Sequence, residues 1–126
     1  MTKLRSECSA DEIVLYTDHY FATIDSVNDS AFKFGILATF ADNPADRSLY
    51  RAKTLEAQRD AEVLRGQRRA FNVDSGPINP PTADEVTAAI FRSEKLAEVR
   101  ADGANANLIL KLFDDSVSAF SKIVGV

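Results

Sequence analysis

The sequence predicts an all-α protein, a bundle of about five helices with a long third helix and a C-terminal helical hairpin. Ser9-Ala-Asp-Glu12 and Thr82-Ala-Asp-Glu85 each fit a capping box, in which a hydroxyl and a glutamate satisfy free amides at a helix start. Asn43-Pro44 supplies a capping side chain and a proline at the first helical position. After each start, apolar residues recur at spacings of three and four, which is typical of amphipathic helices.

Length and charge limit the possible classes of protein. We expect residues 1–126 to form one helical domain, because a chain of this length suffices for one hydrophobic core. The formal net charge of −4 disfavours a general attraction to nucleic acid or anionic lipid. The sequence shows neither a secretory signal nor a membrane span, and its single cysteine, Cys8, cannot form an internal disulfide. These features predict a cytoplasmic protein without membrane contact.

The first helix is predicted to end at Asn28-Asp29-Ser30. Residues Ala31–Ala41 are ambiguous, because their apolar positions fit both the alternation of a strand and the spacing of a helix. We favour a short buried second helix, since a lone strand would leave its backbone groups unpaired. The third helix is expected to run from Asn43 at least to Arg65, and either to stop at Gly66 or to continue to about Phe71.

A Pro/Gly-containing connection over residues 72–81 separates the long third helix from the last two helices. The fourth helix is predicted to end at Gly103, and Asn105 to cap the fifth. The inner side of the last helix is predicted to carry Ile109, Leu112, Phe113, Phe120 and Ile123.

The last two helices provide the candidate protein interface. Apolar residues cover about half the circumference of the last helix, wider than one buried side needs, so we expect this helix to be central. Either its own domain covers it on two sides, or one side meets another chain. The interface candidates are Phe91 and Val99, which lie around Lys95 on the fourth helix, and Leu110 and Val117 on the last helix.

The long third helix provides a second candidate surface. Arg47, Arg51, Arg65 and Arg69 form one stripe with Arg68 nearby, opposite a predicted apolar side made of Ala45, Leu49, Ala52 and Val63. Such a stripe fits an acidic partner surface or, less economically, a phosphate backbone. Glu56, Arg59 and Asp60 fall beside the predicted apolar side, which requires either exposure to water or an ion-pair cluster.

No pattern of residues predicts a catalytic, cofactor or metal site. His19 is the only histidine and Cys8 the only cysteine, so we expect structural roles for both rather than a catalytic pair. We therefore expect a non-enzymatic protein-interaction or regulatory module that self-associates. The alternatives are a nucleic-acid-binding protein that uses the arginine-lined helix, and a small ligand-binding or catalytic helical domain.

Overall fold

The chain forms four α-helices in a computed structural model that describes residues 1–125. These are α1 (Ala10–Phe40), α2 (Pro44–Asn72), α3 (Ala83–Glu98) and α4 (Ala106–Val124), with short 3-10 turns at Arg5–Glu7 and Gly103–Asn105. Within the described residues the only β pairing is an isolated bridge between Lys3 and Ile78. The all-α class is confirmed, and the expected number of five helices is wrong.

Helix α1 is one continuous element where the sequence predicts two. Its start is the predicted capping box: the Ser9 hydroxyl accepts from the Glu12 amide at 3.1 Å, and the Glu12 carboxylate accepts from the Ser9 amide at 2.8 Å. The predicted break at residues 28–30 is absent because Ser30 bonds back to the Ser26 carbonyl at 2.7 Å, and Asp29 pairs with Lys33 at 3.4 Å. Residues 31–40 are therefore helical and not a strand.

The other helix ends agree only partly with the predictions. Asn43 and Thr82 cap α2 and α3 as expected, and α2 passes through Gly66 to Asn72. Helix α3 ends at Glu98, before the predicted Gly103, and the Asn105 side chain does not cap α4. Instead, the Asp102 carboxylate accepts from the Asn105 amide at 3.2 Å and caps the 3-10 turn that precedes α4.

The connection between α2 and α3 is fixed to the rest of the chain. Ile78 is fully buried, and it exchanges backbone hydrogen bonds of 2.7 and 2.8 Å with Lys3. The Asn79 amide donates to the Ile123 carbonyl at 2.6 Å, and its side chain donates to the Lys122 carbonyl at 2.9 Å. These bonds satisfy carbonyl groups that the end of α4 would otherwise leave free.

Helix α1, and not the predicted last helix, is the central element. It packs against α2, α3 and α4, while α3 and α4 also pack against each other. The Phe71 ring of α2 packs against the Tyr16 ring of α1 at a tilt of 41°, and Phe113 of α4 packs edge to face against Phe34. Two alanines of α2, Ala57 and Ala61, are buried in the same core, and their small size allows close approach to α1. All five predicted inner residues of α4 are buried.

Candidate interaction surface

One side of α1 remains open to solvent although its three other sides are covered. Val14, Phe21 and Phe32 lie close to one line along this side, since helical residues advance by about 100° each. These side chains are 56%, 50% and 67% exposed, respectively. Tyr16 and Phe34, which point to the opposite side, are buried. We call the solvent-exposed side of α1, with the edges of α2 and α3 that border it, the open face.

The α2 edge of the open face carries most of the predicted arginine stripe. A groove of about 450 Å³ separates α1 from α2, and its walls include Gly35 and Thr39 on α1 and Arg51 and Leu55 on α2. Leu55 is well exposed. The residues of this α2 edge follow one another at spacings of three and four, so they lie on one side of the helix. They are Arg51, Leu55, Gln58, Glu62, Arg65 and Arg69.

Arg68 joins the α2 edge to the aromatic residues of α1. Its guanidinium lies over the Phe21 ring at 4.6 Å and over the Tyr20 ring at 4.7 Å, both within range of a cation–π interaction. Its neighbour Arg65 pairs with Glu62 at 2.7 Å. Two of the five predicted arginines, Arg65 and Arg68, thus already have partners within the chain.

The part of the open face towards α3 carries three carboxylates, two on α1 and one on α3. A second groove, of about 460 Å³, runs between α1 and α3. Its walls include Asp18, Phe21 and Asp25 of α1 together with Ile90 and Glu94 of α3. Ile90 is exposed, so this edge also offers apolar surface.

The predicted interface residues fall into two groups. Phe91 is 63% exposed on α3. Val99, Leu110 and Val117 are partly buried and pack against the hydrophobic core, so they offer much less free surface. The wide apolar surface of α4 is explained by contacts with α1 and α3 inside the same chain.

The prediction of which side of α2 is buried is wrong. Leu49 and Val63 are largely exposed, and Ala45 and Ala52 are exposed as well. The buried residues of this helix are Ala57, Ala61, Leu64 and Phe71. Arg51 and Arg69 are exposed, while Arg47, Arg65 and Arg68 are half-buried.

The charged residues in the middle of α2 are exposed or half-buried. Glu56 pairs with Lys53 at 3.0 Å, and Arg59 is exposed. Burial and the nearby Glu56 carboxylate raise the pKa of Asp60. Of the two alternatives that the sequence left open, exposure to water is the one observed, with a single ion pair in place of a cluster of the three residues.

His19 is a buried core residue. Its Nδ1 lies 3.3 Å from the Thr23 hydroxyl, which donates to the His19 carbonyl at 2.8 Å, and its ring packs 5.9 Å from the Phe120 ring. Burial, with a smaller contribution from the charge of Arg92, lowers the pKa of His19 to about 4. The imidazole is therefore neutral at pH 7.

Cys8 lies half-buried at the start of α1, and three aspartates line a separate cleft. Burial, with a contribution from Glu12, raises the pKa of Cys8 and disfavours the reactive thiolate. Asp42, Asp46 and Asp102 line a cleft of about 360 Å³ where the α1–α2 turn meets the α3–α4 connection. Among residues 1–125, no group of three or more His, Cys, Asp or Glu side chains is arranged to hold a metal ion.

Comparisons with known proteins give no further assignment. No family model, no curated protein and no solved structure matches the chain. In the described part of the chain, none of the helices combines the length and apolarity that crossing a membrane requires.

The open face was difficult to predict from the sequence because the buried side of α1 contains several polar residues. On α1 the buried set includes His19, Thr23, Ser26, Ser30 and Lys33, which are usually counted as solvent-facing. With these residues placed inside, the remaining side of α1 is the one with Val14, Phe21 and Phe32. The available clue was three apolar positions out of register with the Tyr16–Tyr20 side: Val14, Phe21 and Phe32.

Proposed function

We propose that this chain is a non-enzymatic protein-interaction module that self-associates through the open face. The observation that carries the proposal is the exposed line of Val14, Phe21 and Phe32 on the central helix, with Leu55 and Ile90 beside it. Asp18 and Asp25 lie on the same side of α1 among these apolar residues. Isolated exposed apolar residues are ordinary, whereas exposed phenylalanines with apolar neighbours on both adjacent helices and charged residues among them are typical of a contact surface.

The residue types on the open face suit a protein partner. Phenylalanine and arginine are enriched in protein interfaces, and Phe21 with Arg68 already forms a stacked pair at the boundary between α1 and α2. The grooves on both sides of α1 are wide and shallow enough to receive side chains from another helix. A partner there would complete the packing around α1, which α2, α3 and α4 leave open on one side.

Size-exclusion chromatography with light scattering, over a dilution series, tests this proposal. We expect the wild-type chain to run above monomer mass at high concentration, and Phe32→Asp to shift it to monomer without loss of helicity. Phe91→Asp is the matched control, because Phe91 is equally exposed but lies outside the open face. A wild-type monomer at every concentration contradicts self-association. Loss of association with Phe91→Asp alone would move the interface to the outer side of α3.

The same experiment separates the proposal from nucleic-acid binding. Absorbance at 260 nm in the protein peak reports nucleic acid retained from the cell. We expect none, because Arg65 is paired within the chain, Arg68 is stacked, and Asp18, Asp25 and Glu94 lie across the same face. Retained nucleic acid that is released by salt would favour the arginine edge as a phosphate-binding surface.

A further inference from the structure

A second side of α2, away from the open face, carries apolar residues that the fold does not bury. Leu49 is 43% exposed and Val63 is 51% exposed, and Ala52 is exposed between them. An added Cβ at Gly66 would meet only the Arg69 guanidinium, at 3.8 Å, so the space above Gly66 is open. This side of the helix is therefore free to receive side chains from another molecule.

Six residues follow this side of α2 at alternating spacings of three and four, which is the heptad spacing of a coiled-coil contact. The apolar and small members stand at the two ends of the series, and a carboxylate and a guanidinium stand in the middle. The series is centred about 100° around α2 from the edge that belongs to the open face. We call these residues the outer seam: Leu49, Ala52, Glu56, Arg59, Val63 and Gly66.

The charges of the outer seam are self-complementary in one direction only. An antiparallel second copy, related by a two-fold axis perpendicular to α2 midway between Glu56 and Arg59, places each Glu56 opposite an Arg59 of the other copy. A parallel copy places Glu56 opposite Glu56 and Arg59 opposite Arg59. Like charges at an interface cost several kcal/mol, which selects the antiparallel direction.

The sizes of the side chains select the same antiparallel register. The axis that pairs the two charges also places Leu49 of each copy opposite Gly66 of the other, and Val63 opposite Ala52. Each large side chain thus meets a small residue, as close packing between two helices requires. Charge and size therefore agree on one register, although neither was used to choose the other.

The ion pair that Glu56 already forms is compatible with this contact. Lys53 lies 3.0 Å from Oε2 of Glu56, and a carboxylate has a second oxygen that can accept. Arg59 is exposed, and the ion pairs of residues 1–125 do not include it. Asp60 flanks the seam, and the same axis brings it towards Lys53 of the other copy. Carboxylates and cations therefore alternate across the axis.

We propose that the outer seam binds a second copy of this chain, with the two α2 helices antiparallel. The proposal goes beyond self-association through the open face and does not depend on it. The ion pairs fix register and direction more than strength, because desolvation offsets much of the attraction between buried charges. Each chain contributes only two large apolar side chains, so we expect this contact at higher protein concentration than the open-face contact.

Disulfide cross-linking between two different positions tests the antiparallel register. Two chains carry Cys8→Ser and one further substitution each, Ala52→Cys or Val63→Cys, and a size tag on one chain identifies heterodimers. In the proposed register these two positions face each other, whereas two copies of either position lie about 16 Å apart along the helix. Under mild oxidation we expect heterodimers at least about tenfold faster than homodimers of either chain. Ala52→Cys mixed with Phe91→Cys is the matched control for random collision.

Charge reversals in the same cysteine chains test the central pairs. When both chains carry Glu56→Arg, or both carry Arg59→Glu, like charges meet twice, and we expect cross-linking to slow by at least about tenfold. When one chain carries Glu56→Arg and the other Arg59→Glu, opposite charges return to both pairs and the rate should recover. Lys122→Glu, at an exposed position of α4, is the control and should leave the rate unchanged. Circular dichroism reports whether each chain folds.

The outcomes separate this proposal from the open-face proposal. Selective cross-linking of position 52 to position 63, lost on single reversal and regained on mixed reversal, supports the outer seam. Cross-linking no faster than that of the Phe91→Cys control, or equal for like and unlike positions, overturns it. Slower cross-linking without recovery in the mixed reversal overturns the pairing of Glu56 with Arg59. Self-association through the open face is decided independently by Phe32→Asp, which leaves the outer seam unchanged.

Discussion

The ammonium group of Lys33 in α1 donates a hydrogen bond to the Leu96 carbonyl in the last turn of α3. The same ammonium lies 3.4 Å from the Asp29 carboxylate, and the lysine is almost completely buried. A cation at a helix C-terminus satisfies a free carbonyl and complements the helix dipole. This contact fixes the end of α3 against the central helix.

Replacement of Lys33 with methionine tests that contact. Methionine keeps the length and apolar volume of the side chain but removes the donor, so the buried Leu96 carbonyl loses its partner. We expect a loss of about 1–3 kcal/mol in the free energy of unfolding, measured by urea denaturation. Lys122→Met, at an exposed position of α4, is the control and should change stability by less than about 0.5 kcal/mol. Equal stability of the two variants would contradict a capping role for Lys33.

Two glycines are expected to respond in opposite directions to substitution by alanine. Gly35 lies inside α1, and an added Cβ there would meet no atom within 4 Å, so Gly35→Ala should stabilise the helix by about 0.5–1 kcal/mol. At Gly76 an added Cβ would lie 2.9 Å from the Ala70 Cβ and 3.3 Å from the Phe71 amide. Gly76→Ala should therefore cost about 1–3 kcal/mol. Thermal unfolding of both variants at low protein concentration provides the comparison, and a destabilised Gly35→Ala chain would contradict an uninterrupted α1.

Acid should destabilise the fold through His19. Its folded pKa of about 4 lies below the ordinary value of 6.5, so the unfolded chain binds a proton first as the pH falls. The stabilisation by neutral His19 is present above pH 6.5 and is lost as the pH falls towards 4. Between pH 7 and 5 we expect a loss of about 2 kcal/mol in the free energy of unfolding.

A substitution at His19 isolates this effect from the carboxylates. Most aspartates and glutamates titrate below pH 5, so His19→Gln should remove most of the change in stability between pH 7 and 5. Urea denaturation of both chains at the two pH values gives the measurement. The same pH dependence in His19→Gln would assign the loss to carboxylates whose pKa is lowered in the fold, such as Glu12 and Asp74.

The helix starts could be predicted from sequence because capping is local. Ser9, Asn43 and Thr82 each act on an amide three residues ahead, and no distant contact is needed to place them. The predicted break before Ala31 failed because Asp29 and Ser30 form helix-compatible bonds with Lys33 and Ser26. Residue type alone does not distinguish those bonds from the turn-forming bonds of the same side chains.

The candidate surface required knowledge of packing between helices. The arginine stripe was visible in the sequence, but its position beside Phe21 became known only from the stacking of Arg68. The wide apolar surface of α4 suggested a contact with another chain. In the structure its partly buried valines and leucines pack against the hydrophobic core of the same chain. The buried side of α1 is wider than its apolar residues predict, because small hydroxyl residues such as Ser26 and Thr23 are also buried there.

A disulfide between identical positions tests self-association through the open face most directly. In a chain with Cys8→Ser, Phe32→Cys places one thiol on the open face, where self-association through that face brings the thiols of two chains towards the reach of a disulfide. The matched chain carries Cys8→Ser and Phe91→Cys. Under mild oxidation we expect Phe32→Cys to form covalent dimers much faster than Phe91→Cys. Cross-linking of Phe32→Cys no faster than Phe91→Cys, at concentrations where the wild-type chain is dimeric, would contradict the account.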